Sequence, residues 1–271
     1  MNTLQTRYPH ERDKNVIFSE PLHKYTIVTD PASNYTSVTT WVHSHFTPFN
    51  ADEICDKMMN GRNWNESNKY WGMTKEQIKQ QWSSNTSAAD GTRLHYRIEC
   101  FMNNPQCITN DDLFRSSLEM KPHDNEAPEW NYFLQFIEDY SLLTPYRTEW
   151  MIYDEDVKIA GSIDMLYRNE DGSFTIYDWK RTKQISAANP FKKFAISTSV
   201  IPHIPDTNYW HYALQLNIYR RILSVKYDIN VRDMMLVRLH PNAESYELIC
   251  VPELNTEIDA IWTHRIMNCN K

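Results

Sequence analysis

The chain has 271 residues, 41% of them hydrophobic, with 35 acidic against 28 basic side chains and a formal net charge of −7. That length can bury a full core in one domain with a helical elaboration. No run of eighteen apolar residues offers a membrane span, and the acidic balance excludes wholesale coating of nucleic acid, leaving local charge to decide. Five cysteines at positions 55, 100, 107, 250 and 269 form no C-x-x-C pair. They fit free thiols in a reducing, intracellular compartment better than a disulfide framework.

Residues 1–16 read as a flexible lead-in. They contain acidic residues and no apolar stretch, so neither a secretory signal nor an Arg-rich transit peptide is expected. Residues 16–29 and 35–40 are rich in β-branched and aromatic side chains and read as extended. Ser37 can cap a helix through Trp41, Val42 and Phe46. Residues 50–60 form a helix capped by Asn50 or Asp52, and Thr74 with Gln77 makes a capping box for the next. Small polar residues at 83–90 interrupt the helical spacing, which resumes at Gly91. Residues 104–125 read as a polar connection containing prolines, and residues 127–140 as an amphipathic helix through Trp130, Phe133, Leu134 and Ile137.

The sheet begins at residues 147–153, where Glu149, Met151 and Tyr153 share a face. Residues 158–167 and 173–182 flank Asn169-Glu170-Asp171-Gly172, a hairpin signal with Gly172 supplying positive φ. Residues 207–227 form a long helix with Leu214, Ile218 and Ile222 on one stripe and His211, Gln215 and Tyr219 on the next. Two strands, 231–240 and 245–251, and a helix at 255–267 close the chain. A single domain over 17–271 follows, with a helical part at 17–140 and a sheet core at 141–271.

Alternation along the second hairpin strand puts Ile176, Asp178 and Lys180 on one face, with Tyr177 and Trp179 opposite. Asp164 lies on the preceding strand. Two carboxylates and a lysine therefore converge where apolar strands enter a core. Left unpaired, such groups cost several kcal/mol or more, which a divalent cation held by the aspartates would offset. Between Trp179 and Tyr227 eight basic residues face one acid, Asp206, a local excess suited to phosphates.

GSID at 161–164, DWK at 178–180 and a Gln215–Tyr219 pair one helix later resemble the GxxD, D-x-K and QxxxY motifs of the PD-(D/E)XK nuclease superfamily, in its RecB-like branch. GTRLH at 91–95 is similar to that branch's GxxxH. The likeness extends to viral, phage and mitochondrial genome maintenance exonucleases. It implies an α/β restriction-endonuclease-like core, a central mixed sheet flanked by helices, with an N-terminal helical region that guides the strand. It also implies Asp164, Asp178 and Lys180 as catalytic residues. The metal ligands would be His95, Asp164, Asp178 and the Trp179 backbone carbonyl. Glu99, Glu149, Gln215, Tyr219, Arg181 and Lys183 would support the site or bind nucleic acid, and Trp64, Tyr70 and Trp71 are weaker candidates for base stacking.

The implied activity is metal-dependent exonucleolytic hydrolysis of DNA, preferring single-stranded ends, in replication, repair or recombination, with proteins of those processes as possible partners. Mg²⁺ suits the oxygen ligands, and a histidine nitrogen makes Mn²⁺ at least as good. No iron–sulfur cluster is expected, because only Cys250 and Cys269 lie near the C-terminus. No ATP site is expected, because no glycine precedes a lysine as a phosphate-binding loop requires. Three other readings remain at this point: a structure-specific endonuclease on the same core, a catalytically silent binding module, and an unrelated paired-carboxylate enzyme such as a glycosidase, which would not need Lys180.

Overall fold

A computed structural model describes residues 3–83, 87–119 and 127–269. Its elements in chain order are α1 (Thr3–Arg7), a 3₁₀ turn (Glu11–Asn15), β1 (Val16–Ser19), β2 (Lys24–Ile27), β3 (Thr36–Ser37), α2 (Val38–His43), α3 (Ala51–Met59) and α4 (Lys75–Ser83). There follow α5 (Ser87–Met102), α6 (Asn110–Glu119), α7 (Pro128–Asp139), β4 (Thr144–Asp154), β5 (Ile159–Arg168), β6 (Phe174–Lys180), α8 (Asn208–Lys226), β7 (Val231–Arg238), β8 (Glu247–Cys250) and α9 (Asn255–Cys269). Among the described residues, no helix is long and apolar enough to cross a membrane.

The expected local signals act where they were read. Ser37 caps α2 by accepting from the Thr40 N–H, Asn50 caps α3 through Glu53, and Thr74 and Gln77 exchange both capping-box hydrogen bonds. Gly172 turns the β5–β6 hairpin at φ +83°. Salt bridges from Lys75 to Asp56 and from Lys79 to Asp52 fasten α4 to α3.

β4–β8 and β3 form one mixed sheet: β4–β5, β5–β6 and β7–β8 are antiparallel, whereas β3–β5 and β6–β7 are parallel. Helices cover both faces. Side chains of α2, α8 and α9 pack with Trp150, Ile163, Ile176 and Leu236 in one core; those of α5, α6 and α7 pack with Met165, Tyr177, Trp179 and Val237 in the other. Each fully buried aliphatic or aromatic side chain contributes roughly 1.5–3 kcal/mol relative to exposure, so these two layers hold the sheet rigid under the site. This is the α/β architecture expected for a restriction-endonuclease-like core.

Two expectations are corrected. Residues 104–119 are not a plain connection, because α6 occupies most of them. Its start is set by a reciprocal Thr109–Asp112 cap and it buries Leu113; residues 120–126 lie outside the described residues. Nor are residues 3–15 a loose lead-in. Leu4 is buried, and Asp13 accepts from Nη1 and Nη2 of buried Arg147 (2.9 and 3.1 Å) and from the Trp150 indole N–H (2.8 Å). A buried ion pair of this kind holds its segment firmly, since breaking it by removing one partner costs about 3–5 kcal/mol. The expected extended run at 16–29 is a hairpin, β1 against β2, outside the main sheet.

The feature that positions the site is a fork. β5 pairs with β6 only from Met165↔Tyr177 outward to Arg168↔Phe174, and with β3 only at Ile159 and Ala160. Along that edge, residues 161–164 pair with no strand. Asp164 and Asp178 are the first residues past the last β5–β6 pair, one on each parting strand.

Candidate metal centre

Where the strands part, a backbone donor loses its ladder partner and a side chain replaces it: the Trp179 N–H donates to Asp164 Oδ2 at 2.9 Å. Across β5, β4 pairs Thr148 with Met165 and Trp150 with Ile163, stepping over Glu149 and Asp164. Glu149 stands there at φ +44°, a left-handed conformation that costs a non-glycine residue about 1–3 kcal/mol. Ser162 Oγ donates to Glu149 Oε2 at 3.1 Å and steadies that carboxylate. From α5, His95 places Nδ1 3.5 Å from Asp164 Oδ2 and 3.7 Å from Glu149 Oε1. Ligand atoms of His95, Glu149 and Asp164 all lie within 4.8 Å of one another, a spacing that a single cation can span.

Asp178 and Lys180 adjoin this triad. Lys180 Nζ is 2.5 Å from Asp178 Oδ2 and 4.7 Å from the centre of the Tyr212 ring on α8. Asp178 is 1% exposed; its Oδ2 meets the Lys180 ammonium, while its Oδ1 accepts no hydrogen bond among the described residues. A buried carboxylate oxygen rarely lacks a partner without reason, and the free Oδ1 beside three candidate ligands fits a hard cation.

Burial pushes the Asp178 carboxyl up to about 6, with Asp164's like charge adding to it and Lys180 opposing. Burial likewise holds Asp164 above its usual range, against the pull of His95. For His95, burial works downward, but Asp164 and Glu149 outweigh it and push the imidazole up to about 9. Burial also opposes the charge on Lys180, and Asp178 and Asp164 more than restore it. The crowded carboxylates thus favour positive charge around them, whether protons or cations. Two carboxylates, an imidazole and a third carboxylate at the edge form a donor set suited to Mg²⁺ or Mn²⁺.

Gln215 and Tyr219 are both buried on α8, where Gln215 Nε2 donates to the Tyr219 hydroxyl at 3.3 Å. The Tyr219 ring fills the fork over Gly161. A Cβ there would lie 2.7 Å from Cε1 and 2.9 Å from the hydroxyl, so the glycine of GSID is required by the tyrosine of the later helix. Both residues brace the site from within and are too buried to form an open nucleic-acid surface.

Other expected residues are placed differently. Glu99 lies one turn beyond His95, half-buried and outside the triad, with burial raising its pKa. Trp179 joins through its N–H. Arg181 is committed to Glu129 (Nε to Oε1, 2.6 Å) with Asp90 at 3.5 Å, so it ties α7 and α5 to the end of β6 rather than standing open for phosphate. Lys183 is exposed. Trp71 is 45% exposed and packs edge-on against half-buried Trp64, and Tyr70 accepts the Trp82 indole N–H. Tyr212, which touches the lysine, was not among the expected residues; it lies one turn before Gln215 on the same helix, a spacing that could have pointed to it.

No family model matches the chain, and no curated protein matches it in sequence. In structure, 88% of the chain aligns with 78% of SSO0001 at 14% identity and a TM-score of 0.32. Similarly, 87% aligns with 79% of a "putative exonuclease" from Eubacterium rectale at 14% identity and a TM-score of 0.41. At those scores neither likeness informs the chemistry.

Proposed function

We propose that this chain is a divalent-metal-dependent deoxyribonuclease of the PD-(D/E)XK type, an exonuclease acting without sequence preference on linear single-stranded DNA. The observation that carries the reading is the cluster at the fork: ligand atoms of His95, Glu149 and Asp164 within 4.8 Å of one another, beside the buried Asp178 carboxylate and its Lys180 partner.

A bound Mg²⁺ or Mn²⁺ supplies Lewis acidity toward the phosphate and lowers the pKa of water. The chain's own residues do the rest. Asp164, fixed by the Trp179 N–H, and Glu149, fixed by Ser162, present oxygens in a preset arrangement, and His95 adds a nitrogen once it has shed its proton. Asp178 and the Trp179 carbonyl would complete the ligand set on the β6 side. Lys180 orients the attacking water and offsets negative charge growing on the phosphoryl oxygens. Tyr212 holds the lysine ammonium over its ring, and Gln215 with Tyr219 keeps the two strands apart. None of these groups reads a base, so selectivity rests on which strands reach the centre. The exposed Trp71 and the basic residues from Lys183 to Lys193 suit an unpaired strand, by stacking and by phosphate contact. Replication, repair or recombination is the setting that such an activity fits, with proteins of those processes as partners.

The test is a gel assay with labelled linear single strands, the same sequence closed into a circle, and duplex, each with Mg²⁺, Mn²⁺ or chelator. Linear single strands should be degraded to short products with metal only, and Asp164→Ala, Asp178→Ala and Lys180→Ala should each nearly abolish turnover. Wild-type rates in any of those variants would refute the assignment. Equal degradation of the circle would replace the exonuclease with an endonuclease.

A further inference from the structure

A cavity of about 680 Å³ adjoins the metal centre and shares His95 and Glu149 with it. That size is within the roughly 300–1,000 Å³ common for small-ligand sites. Its walls include Phe18 and Tyr25 of the β1–β2 hairpin, Tyr96 and Glu99 of α5, and Trp150 of β4. The hairpin is no loose flap, because the adjoining Glu11–Asn15 turn is bolted to β4 through Asp13, Arg147 and Trp150.

The charge on the walls limits what can enter. Tyr96, 66% exposed, offers an open ring face, whereas Tyr25 and Trp150 are buried and bound the space, with Phe18 packed on Tyr25 at 4.6 Å between ring centres. Glu20 and Glu99 also line the space. Among the described lining residues the basic groups are Arg147, which Asp13 holds with two hydrogen bonds, and His95 of the metal centre. Among the described lining residues, no basic side chain outside the metal centre is left unpaired for a phosphate. A strand running on through the cavity would carry further phosphates past two carboxylates.

Resting on the nuclease reading above, we infer that this cavity receives the terminal nucleoside of a DNA strand whose last phosphodiester lies at the metal centre, and that it selects ends bearing a hydroxyl over ends bearing a phosphate. Water adds to phosphorus and the P–O bond on the strand side breaks, so the phosphate leaves with the terminal nucleoside and the shortened strand again ends in a hydroxyl. The exposed Tyr96 ring accepts any base by stacking, and like charge rejects the doubly negative terminal phosphate. End dependence and indifference to sequence then have one structural origin.

The experiment uses the full chain with Mn²⁺ and three linear single-stranded oligonucleotides of one sequence: hydroxyl at both ends, phosphate at the 5′ end, and phosphate at the 3′ end. A phosphate at one of the two ends should lower kcat/KM by about tenfold or more, while the other phosphate has little effect. The double variant Glu20→Gln/Glu99→Gln, verified as folded by circular dichroism, should shrink that ratio to about threefold or less by removing the repulsion. Equal rates on all three oligonucleotides, or a ratio unchanged in the double variant, would overturn the assignment of the cavity while leaving the nuclease standing. Absence of metal-dependent cleavage of any oligonucleotide would instead refute the nuclease reading, and the cavity's role with it.

Discussion

Gly161→Ala is the smallest change that reports on the fork. The backbone at Gly161 is not in the left-handed region, so alanine is excluded only by space: its Cβ would meet Tyr219 Cε1 at 2.7 Å and the hydroxyl at 2.9 Å. The tyrosine cannot yield freely, being 3% exposed and packed in the core beneath α8. Overpacking of this kind costs about 1–3 kcal/mol. Displacing the ring also breaks the 3.3 Å bond from Gln215, worth about 1 kcal/mol. The expected loss is about 2–4 kcal/mol, a large share of the roughly 5–15 kcal/mol available to a folded domain. Tyr219→Leu alone should cost a similar amount, through the space it leaves and the lost partner of Gln215. The double variant should recover at least about 1.5 kcal/mol relative to the sum, because the leucine vacates the place the new methyl needs. Urea unfolding followed by circular dichroism and tryptophan fluorescence would supply the three values. Strict additivity, or a Gly161→Ala protein within about 0.5 kcal/mol of wild type, well below the overpacking range, would refute the claim that the glycine is there for the tyrosine.

Further predictions concern the centre itself. Because Asp178 titrates near 6 and His95 near 9 in the metal-free protein, both above their unfolded values, their contributions to metal-free stability are fully present below the unfolded pKa values. They are lost as pH rises through about 6 and then about 9. Metal needs both groups deprotonated, so the rise in Tm on adding Mn²⁺ should grow with pH across that window in thermal melts; a shift independent of pH would exclude both groups as ligands. Tyr212→Phe should keep the ring under Lys180 and retain most turnover. Tyr212→Leu should lower kcat several-fold, commensurate with about 1 kcal/mol or more of lost cation–π contact, and leave KM nearly unchanged; equal kcat for both variants would remove Tyr212 from the site. Glu149→Gly should raise metal-free stability by about 1 kcal/mol by relieving a left-handed glutamate while weakening Mn²⁺ binding in calorimetry; a destabilised variant with intact binding would contradict both assignments.

The sequence by itself determined whatever is local to a few consecutive residues. Strand alternation put Asp178 and Lys180 on one face, Gly172 set the hairpin, the Thr74–Gln77 box began α4, and the Gln215–Tyr219 spacing predicted a shared helix stripe. One further local signal is legible in the sequence: Thr109 and Asp112 have the spacing of a reciprocal cap, and they start α6 within what otherwise reads as a polar connection. Tertiary structure decided the remainder, because it depends on partners distant in the chain. Glu149 is a second-rank candidate by sequence, yet it belongs to the tight triad while Asp178 sits at its edge. No pattern within β4 announces a glutamate at positive φ, since what holds it there is the strand opposite. Arg181 follows directly on D-x-K like a phosphate contact, and only the arrival of α7 gives it Glu129. Residues 3–15 look unstructured until buried Arg147, more than a hundred residues away, demands a carboxylate. A polar side chain's role is set by what desolvates it and what then answers its charge, and both are supplied only when distant segments meet.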